Sequence, residues 1–307
     1  MAERGYEFEE LVKSAYRYTI QEVGLDKVKP SLRLEFERLQ KAHNAIHEFM
    51  LLAPLLFPCE PCKQISWQSK SAFFILHWEA FHHAHRSLIE ALCAYYNVSF
   101  VLLRTTLELV VKGAFWECMS HKEYRQNCDV LDNDAWGKRI KGWLNEIFEL
   151  SEEVKEEFEE TSAGIYDKIG PIIEVSDFRP NIKTIVSQLA QWDIFNPIPD
   201  PITAIYRGIY GRLSADAHVV PNRTDIGKRI LNMPSQIFDQ EILQDTLSEY
   251  THCLHEVMDL AIVVELNVVR DLIGRYDEVK GNLWERTETL NQLGLKYSLI
   301  RAKELLK

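Results

Sequence analysis

Two short stretches hold residues of the types that grip a phosphate or move a proton. Arg104 and Glu108 stand four apart in RTTLE, and Arg212, Ser214 and His218 follow one another in YGRLSADAHVVP. A guanidinium presents a planar fork of donors that matches phosphate oxygens. An imidazole exchanges a proton near neutral pH, and His218, close to a helix end at Pro221, gains from the helix dipole when charged. Opposite charges four apart pair across one helical turn. Around Arg104 and Glu108 the helix is otherwise almost wholly apolar, and losing one partner of a buried pair costs about 3–5 kcal/mol. The alternatives for that pair are a structural ion pair, a pair on a partly exposed edge, and a functional pair. In the second stretch Arg212 suits holding a phosphate and His218 suits moving a proton, with Ser214 four residues before it.

A different chemistry is offered by Glu79-x-x-His82 and Glu249-x-x-His252, which have the spacing of di-iron carboxylate bundles. Glu48 and Glu108 could add ligands, but the acidic partner that the full pattern needs upstream of Glu249 is missing, so metal is the minor alternative and no cofactor is expected. Cys59-x-x-Cys62 is half of a zinc site. His43 and His47, four apart, could complete it if the loop folded back over their helix; otherwise the two cysteines are thiols on a surface loop. His85, on an apolar stripe, reads as a hydrogen-bonded core residue. The sequence contains no phosphate-cradling glycine loop, nucleophile elbow or His-Glu-x-x-His motif.

Arg-x-x-x-Glu on a core helix, followed much later by Tyr210, Leu213, Ser214 and His218 in a Tyr-x-x-Leu-Ser-x-x-x-His pattern, resembles the HEPN superfamily and its uncharacterised helical-bundle branches. The resemblance implies a helical bundle, often a homodimer, of the kind found in defence and toxin–antitoxin systems. Active members are metal-independent endoribonucleases with an Arg-x(4–6)-His motif, whose counterparts here are Arg212 and His218; the resemblance then implies that His218 moves the proton, Arg212 with Arg104 offsets the charge on the phosphate, and Glu108 orients an arginine. It therefore implies RNA, or else a protein partner or ligand sensed without catalysis, as what this chain meets. The chain departs from the active pattern at Leu213, where a polar residue usually follows the arginine, and it is far longer than a minimal HEPN domain.

Helical apolar spacing runs along nearly the whole chain, and no segment reads as a convincing strand. Helices are predicted over 3–23, 31–52 with Ser31 as N-cap, 66–96, 98–119, 133–150, 151–169, a stretch after Pro180, 201–220, 235–273 ended by Gly274, and 282–306. Three prolines in APLLFPCEPCKQ mark a loop, and Asp200-Pro201 is a helix start with an N-cap Asp and Pro in the first helical position. The predicted fold is all-α, with a four-helix-bundle-like core and additional N-terminal, inserted and C-terminal helices. Its parts are 1–65, a core of 66–119 with 200–274, an insertion over 120–199, and 275–307. The acidic run EEVKEEFEE reads as a solvated face.

The chain has 307 residues, 46% of them hydrophobic, and a net charge of −11. That charge argues against a broad nucleic-acid-binding surface and leaves room for a small basic pocket. Six scattered cysteines and the polar start MAERGYEFEE point to reduced thiols in a cytoplasm. Arg104, Glu108 and Lys112 interrupt the most apolar stretch, which makes it a core helix and not a membrane span.

Overall fold

Every regular element is helical in the computed structural model, which describes residues 9–14, 17, 25–56, 71–119, 121–148, 180–217 and 240–307. In chain order these elements are α1 (Leu25–Leu34), α2 (Phe36–Leu56), α3 (Ala72–Leu92), α4 (Tyr96–Cys118), α5 (Lys122–Gln126), α6 (Asp129–Asp132), α7 (Ala135–Phe148) and α8 (Ile182–Gln191). A π-helical segment (Ile202–Tyr210) then runs into α9 (Gly211–Ala217), followed by α10 (Gln240–Val268), α11 (Arg270–Arg275), α12 (Asp277–Leu293) and α13 (Lys296–Leu305). Among the described residues no helix is long and apolar enough to cross a membrane.

The hairpin of α3 and α4 is the centre of the molecule, and its closure is a matter of capping. The Ser71 hydroxyl accepts from the Phe74 N–H at 3.1 Å and donates to Glu117 Oε2 at 2.9 Å, while that same oxygen accepts from the Phe73 N–H at 3.0 Å. A buried carboxylate on the last turn of α4 thus satisfies the orphan donors at the start of α3 and faces the positive end of its dipole. The short link between the two helices makes them antiparallel neighbours. α10 packs along both α4 and α2, and α2 in turn packs on α3. Leu103, Leu107, Phe49, Leu52, Leu254, Met258 and Ile262 are buried where these helices meet.

α2, which the sequence groups with the N-terminal additions, therefore touches two of the expected core helices. α9 lies against α4, and the π segment lies against α8. Several boundaries also differ. Ser31 is buried inside α1, and the chain breaks near Glu35 instead. Gly274 sits within α11, and the single C-terminal helix is two, divided at Gly294 with a left-handed φ of 73°. That glycine is the C-terminal stop a left-handed cap calls for. The next helix is then held by Asp259, whose carboxylate accepts from the N–H groups of Tyr297 at 3.0 Å and Ser298 at 2.8 Å. The predicted acidic helix over 151–169 and the Cys59/Cys62 loop lie outside the described residues.

Candidate functional site

Asp200 starts the segment that carries the site, and its Oδ1 accepts from the Thr203 N–H at 3.3 Å as an N-cap should. The helix that follows is not the regular α-helix expected. Ile202–Tyr210 is wound as a π-helix, a form that is rare at this length and concentrated at functional positions. It buries Ile205 and Ile209 and turns Tyr206, Arg207 and Tyr210 towards an open cleft. Opposite them α4 contributes Arg104, Glu108 and Lys112, one turn apart in succession. The third wall is the N-terminal end of α8, where the Asn181 side chain accepts from the Thr184 N–H at 3.0 Å and so fixes the turn that carries Lys183.

The cleft has a volume of about 840 Å³. A hydrogen-bonded network forms its floor. Arg104 Nε donates to Glu108 Oε1 at 3.0 Å, Arg104 also donates to the Tyr210 hydroxyl oxygen at 2.7 Å, and that hydroxyl donates to Glu108 Oε1 at 3.0 Å. Lys112 Nζ donates to the other oxygen, Oε2, at 3.1 Å. The Arg104 guanidinium also stands 4.9 Å over the Tyr210 ring, within cation–π range. Burial alone would raise the Glu108 carboxyl. The Lys112 ammonium, the Tyr210 hydroxyl and the Arg104 guanidinium outweigh it and hold the group below the ordinary carboxylate range.

Arg104 and Glu108 form a pair on a partly exposed edge, one of the alternatives open to them from the sequence. Their side chains are 19% and 23% exposed, at the edge of the cleft. Replacing Tyr210 with Phe removes both hydroxyl hydrogen bonds but leaves the ion pair, so we expect a loss of about 1 kcal/mol in urea unfolding. A loss above about 3 kcal/mol would mean that the hydroxyl holds the whole cleft together.

Of the residues singled out by sequence, Arg104, Glu108 and Ser214 line one cleft. The Ser214 hydroxyl is buried there without a hydrogen-bond partner among the described residues. Arg212 is elsewhere: its guanidinium is engaged by the Glu256 carboxylate on α10, and it is absent from the cleft lining. His218 lies outside the described residues, as do Cys59 and Cys62. Glu79 and His82 are exposed on α3, and His252 is exposed on α10, 3.5 Å from Glu256, with Glu249 half-buried nearby. Among the described residues these four do not gather at one point, whereas His43, His47 and His85 lie close enough together that they could hold an ion.

Sequence reasoning missed Lys112, Lys183, Tyr206 and Arg207. Lys112 was legible as the next residue at the i, i+4 spacing after Glu108. Tyr206 and Arg207 are visible only once the π-winding is known, because a regular α-helix would give that segment a different face. No protein-family model, curated protein or solved structure matches this chain.

Proposed function

We propose that this chain is a HEPN-like protein that acts on RNA at the cleft between α4, the π segment and α8, as a homodimer. The observation that carries this reading is local charge reversal. Among the described residues, Arg104, Lys112, Lys183 and Arg207 face the cleft against one carboxylate, that of Glu108, in a chain whose net charge is −11. A polyanion can be drawn to so acidic a body only where such a reversal focuses the field.

Further support comes from the walls. Tyr206 and Tyr210 stack at 5.7 Å beside the cations, the combination of rings and positive charge that single-stranded channels use. The start of α8 adds backbone donors and the positive end of a helix dipole. Exposed Val98 and Val101 on the turns of α4 preceding Arg104 suit a second copy against this face.

In the cleavage step, His218 accepts the proton of a ribose 2′-hydroxyl as general base. The 2′-oxygen bonds to the adjacent phosphorus, the bond from phosphorus to the 5′-oxygen breaks, and that leaving oxygen takes a proton from water, to which His218 returns the one it accepted. The products are a 2′,3′-cyclic phosphate and a 5′-hydroxyl. Arg104 and Lys112 offset the charge that gathers on the phosphoryl oxygens, and the Ser214 hydroxyl is a further donor. The engagement of Arg212 by Glu256 favours a second reading, in which the same fold binds a ligand or a protein partner and catalyses nothing.

Incubation of the purified chain with mixed single-stranded RNA in EDTA separates the two, with folding checked by circular dichroism. The first reading expects cyclic-phosphate ends, and cleavage reduced about 10²–10⁴-fold in His218→Ala. It also expects the exposed pair Lys183→Ala/Arg207→Ala to weaken RNA binding. The slope of log affinity against log salt should then flatten by about 0.7 for each phosphate that the variant no longer neutralises. RNA binding that ignores both salt and this double substitution removes RNA from the assignment. Sedimentation as a monomer removes the dimer.

A further inference from the structure

Well apart from the residues of the cleft, three histidines converge between α2 and α3. His43 and His47 share one face of α2, with their Nε2 atoms 3.1 Å apart. His85 comes across from α3, its ring centroid 5.5 Å from that of His43 and 4.8 Å from that of His47. One ligand nitrogen from each ring lies within 4.8 Å of the other two. All three residues are partly buried, and His85 Nε2 is buried without a hydrogen-bond partner among the described residues. Phe81 closes one side at 4.7 Å from His85 and 6.1 Å from His47.

An apolar core has no use for this arrangement by itself. Two facing ring nitrogens can share one proton, but the third lone pair is left with nothing to meet, and a buried polar atom without a partner is destabilising. What three converging imidazoles lack is a shared electron-pair acceptor.

We infer that His43, His47 and His85 form a binding site for a divalent transition metal, with zinc as its ion. An all-imidazole donor set suits zinc, copper or nickel and is poorly suited to magnesium or calcium, which take oxygen ligands. A tetrahedral zinc with bonds of about 2.05 Å has ligand nitrogens roughly 3.3 Å apart, close to the 3.1 Å already set between His43 and His47. Ring rotation of His85 brings in the third. Three protein ligands leave a fourth coordination position for water or an incoming ligand. The ion would also clamp α2 to α3.

The test uses the full chain, stripped with EDTA, exchanged into chelator-free buffer, and titrated with Zn²⁺ against a chromophoric competitor. A parallel Co²⁺ titration reads coordination number from the visible d–d bands. We expect one ion per chain, a four-coordinate cobalt spectrum, and a higher melting temperature with zinc. His85→Ala should lose at least about a hundredfold in affinity, since even outer-shell changes cost 10–100-fold, while His82→Ala on the exposed side of α3 keeps wild-type binding. His85→Gln, which retains side-chain bulk, serves if the alanine variant does not fold. Absence of zinc binding by the wild-type chain overturns the site. So does zinc that survives His85→Ala but is lost in Cys59→Ser/Cys62→Ser, which would place the ion on the thiols.

Discussion

Arg286→Ala is expected to destabilise the chain by about 3–5 kcal/mol, read as a shift of the urea midpoint at constant slope. The reason is which partner would be left behind. Arg286 on α12 donates through Nε to Glu48 Oε1 at 2.8 Å and through a second nitrogen to the other carboxylate oxygen, a bidentate pair. Glu48 is 2% exposed on the inner face of α2, whereas the Arg286 side chain is 26% exposed. Removing the arginine strands a carboxylate that cannot reach water. Removing the carboxylate's charge leaves a guanidinium that can. Glu48→Gln alone should therefore cost markedly less than Arg286→Ala, and adding Glu48→Gln to Arg286→Ala should recover part of the loss. Additive single and double variants in this cycle would show that the pair contributes no coupling and that α12 is held by packing alone.

That pair also shows what periodicity can and cannot reveal. The helices themselves are legible because apolar residues recur at helical spacing almost without interruption, and this outcome needs no knowledge of partners. Which helices touch is a different matter. In the sequence Glu48 stands out only as a distant metal ligand, because nothing local says that a residue 238 positions away will meet it. The placement of α2 against both α3 and α10 follows from such long-range complementarity.

The site is legible in part for the same reason. Arg104 and Glu108 announce themselves by being charged in an apolar helix, and Ser214 comes with the patterned segment after Tyr210. The role of Tyr210 as the bridge between Arg104 and Glu108 requires the two segments to pack together. Arg212 shows where spacing alone stops. One residue's step around a helix is about 100°, enough to send it to Glu256 on α10 while Gly211 and Ser214 face the cleft. His85 reads as a satisfied core residue because an apolar stripe usually buries histidines against a hydrogen-bond partner. Its convergence with His43 and His47 depends on the crossing of two helices.

Glu265→Gln is expected to stabilise the chain progressively as pH rises. Glu265 on α10 is fully buried, and neither carboxylate oxygen has a hydrogen-bond partner among the described residues. Burial, and then the charge of Glu48, push its carboxyl well above the ordinary value of 4.5. A group that holds its proton more tightly folded than unfolded contributes fully only below the unfolded value. Above about pH 4.5 the unfolded chain releases the proton while the folded chain keeps it, so stability falls with pH until the folded group also titrates. The slope of that loss is up to about 1.4 kcal/mol per pH unit. Glutamine has the same shape and no such proton. Any fixed cost of burying its amide is the same at every pH, so it cancels when variant and wild type are compared across a series. Urea unfolding at pH 5, 6, 7 and 8 should then show the gap moving steadily in favour of Glu265→Gln. A gap that stays constant over that range would mean that Glu265 is ionised in the folded chain and is held by a partner near Glu48 and Arg286. In that case Arg286→Ala would strand two carboxylates, and its cost should exceed the range given for one.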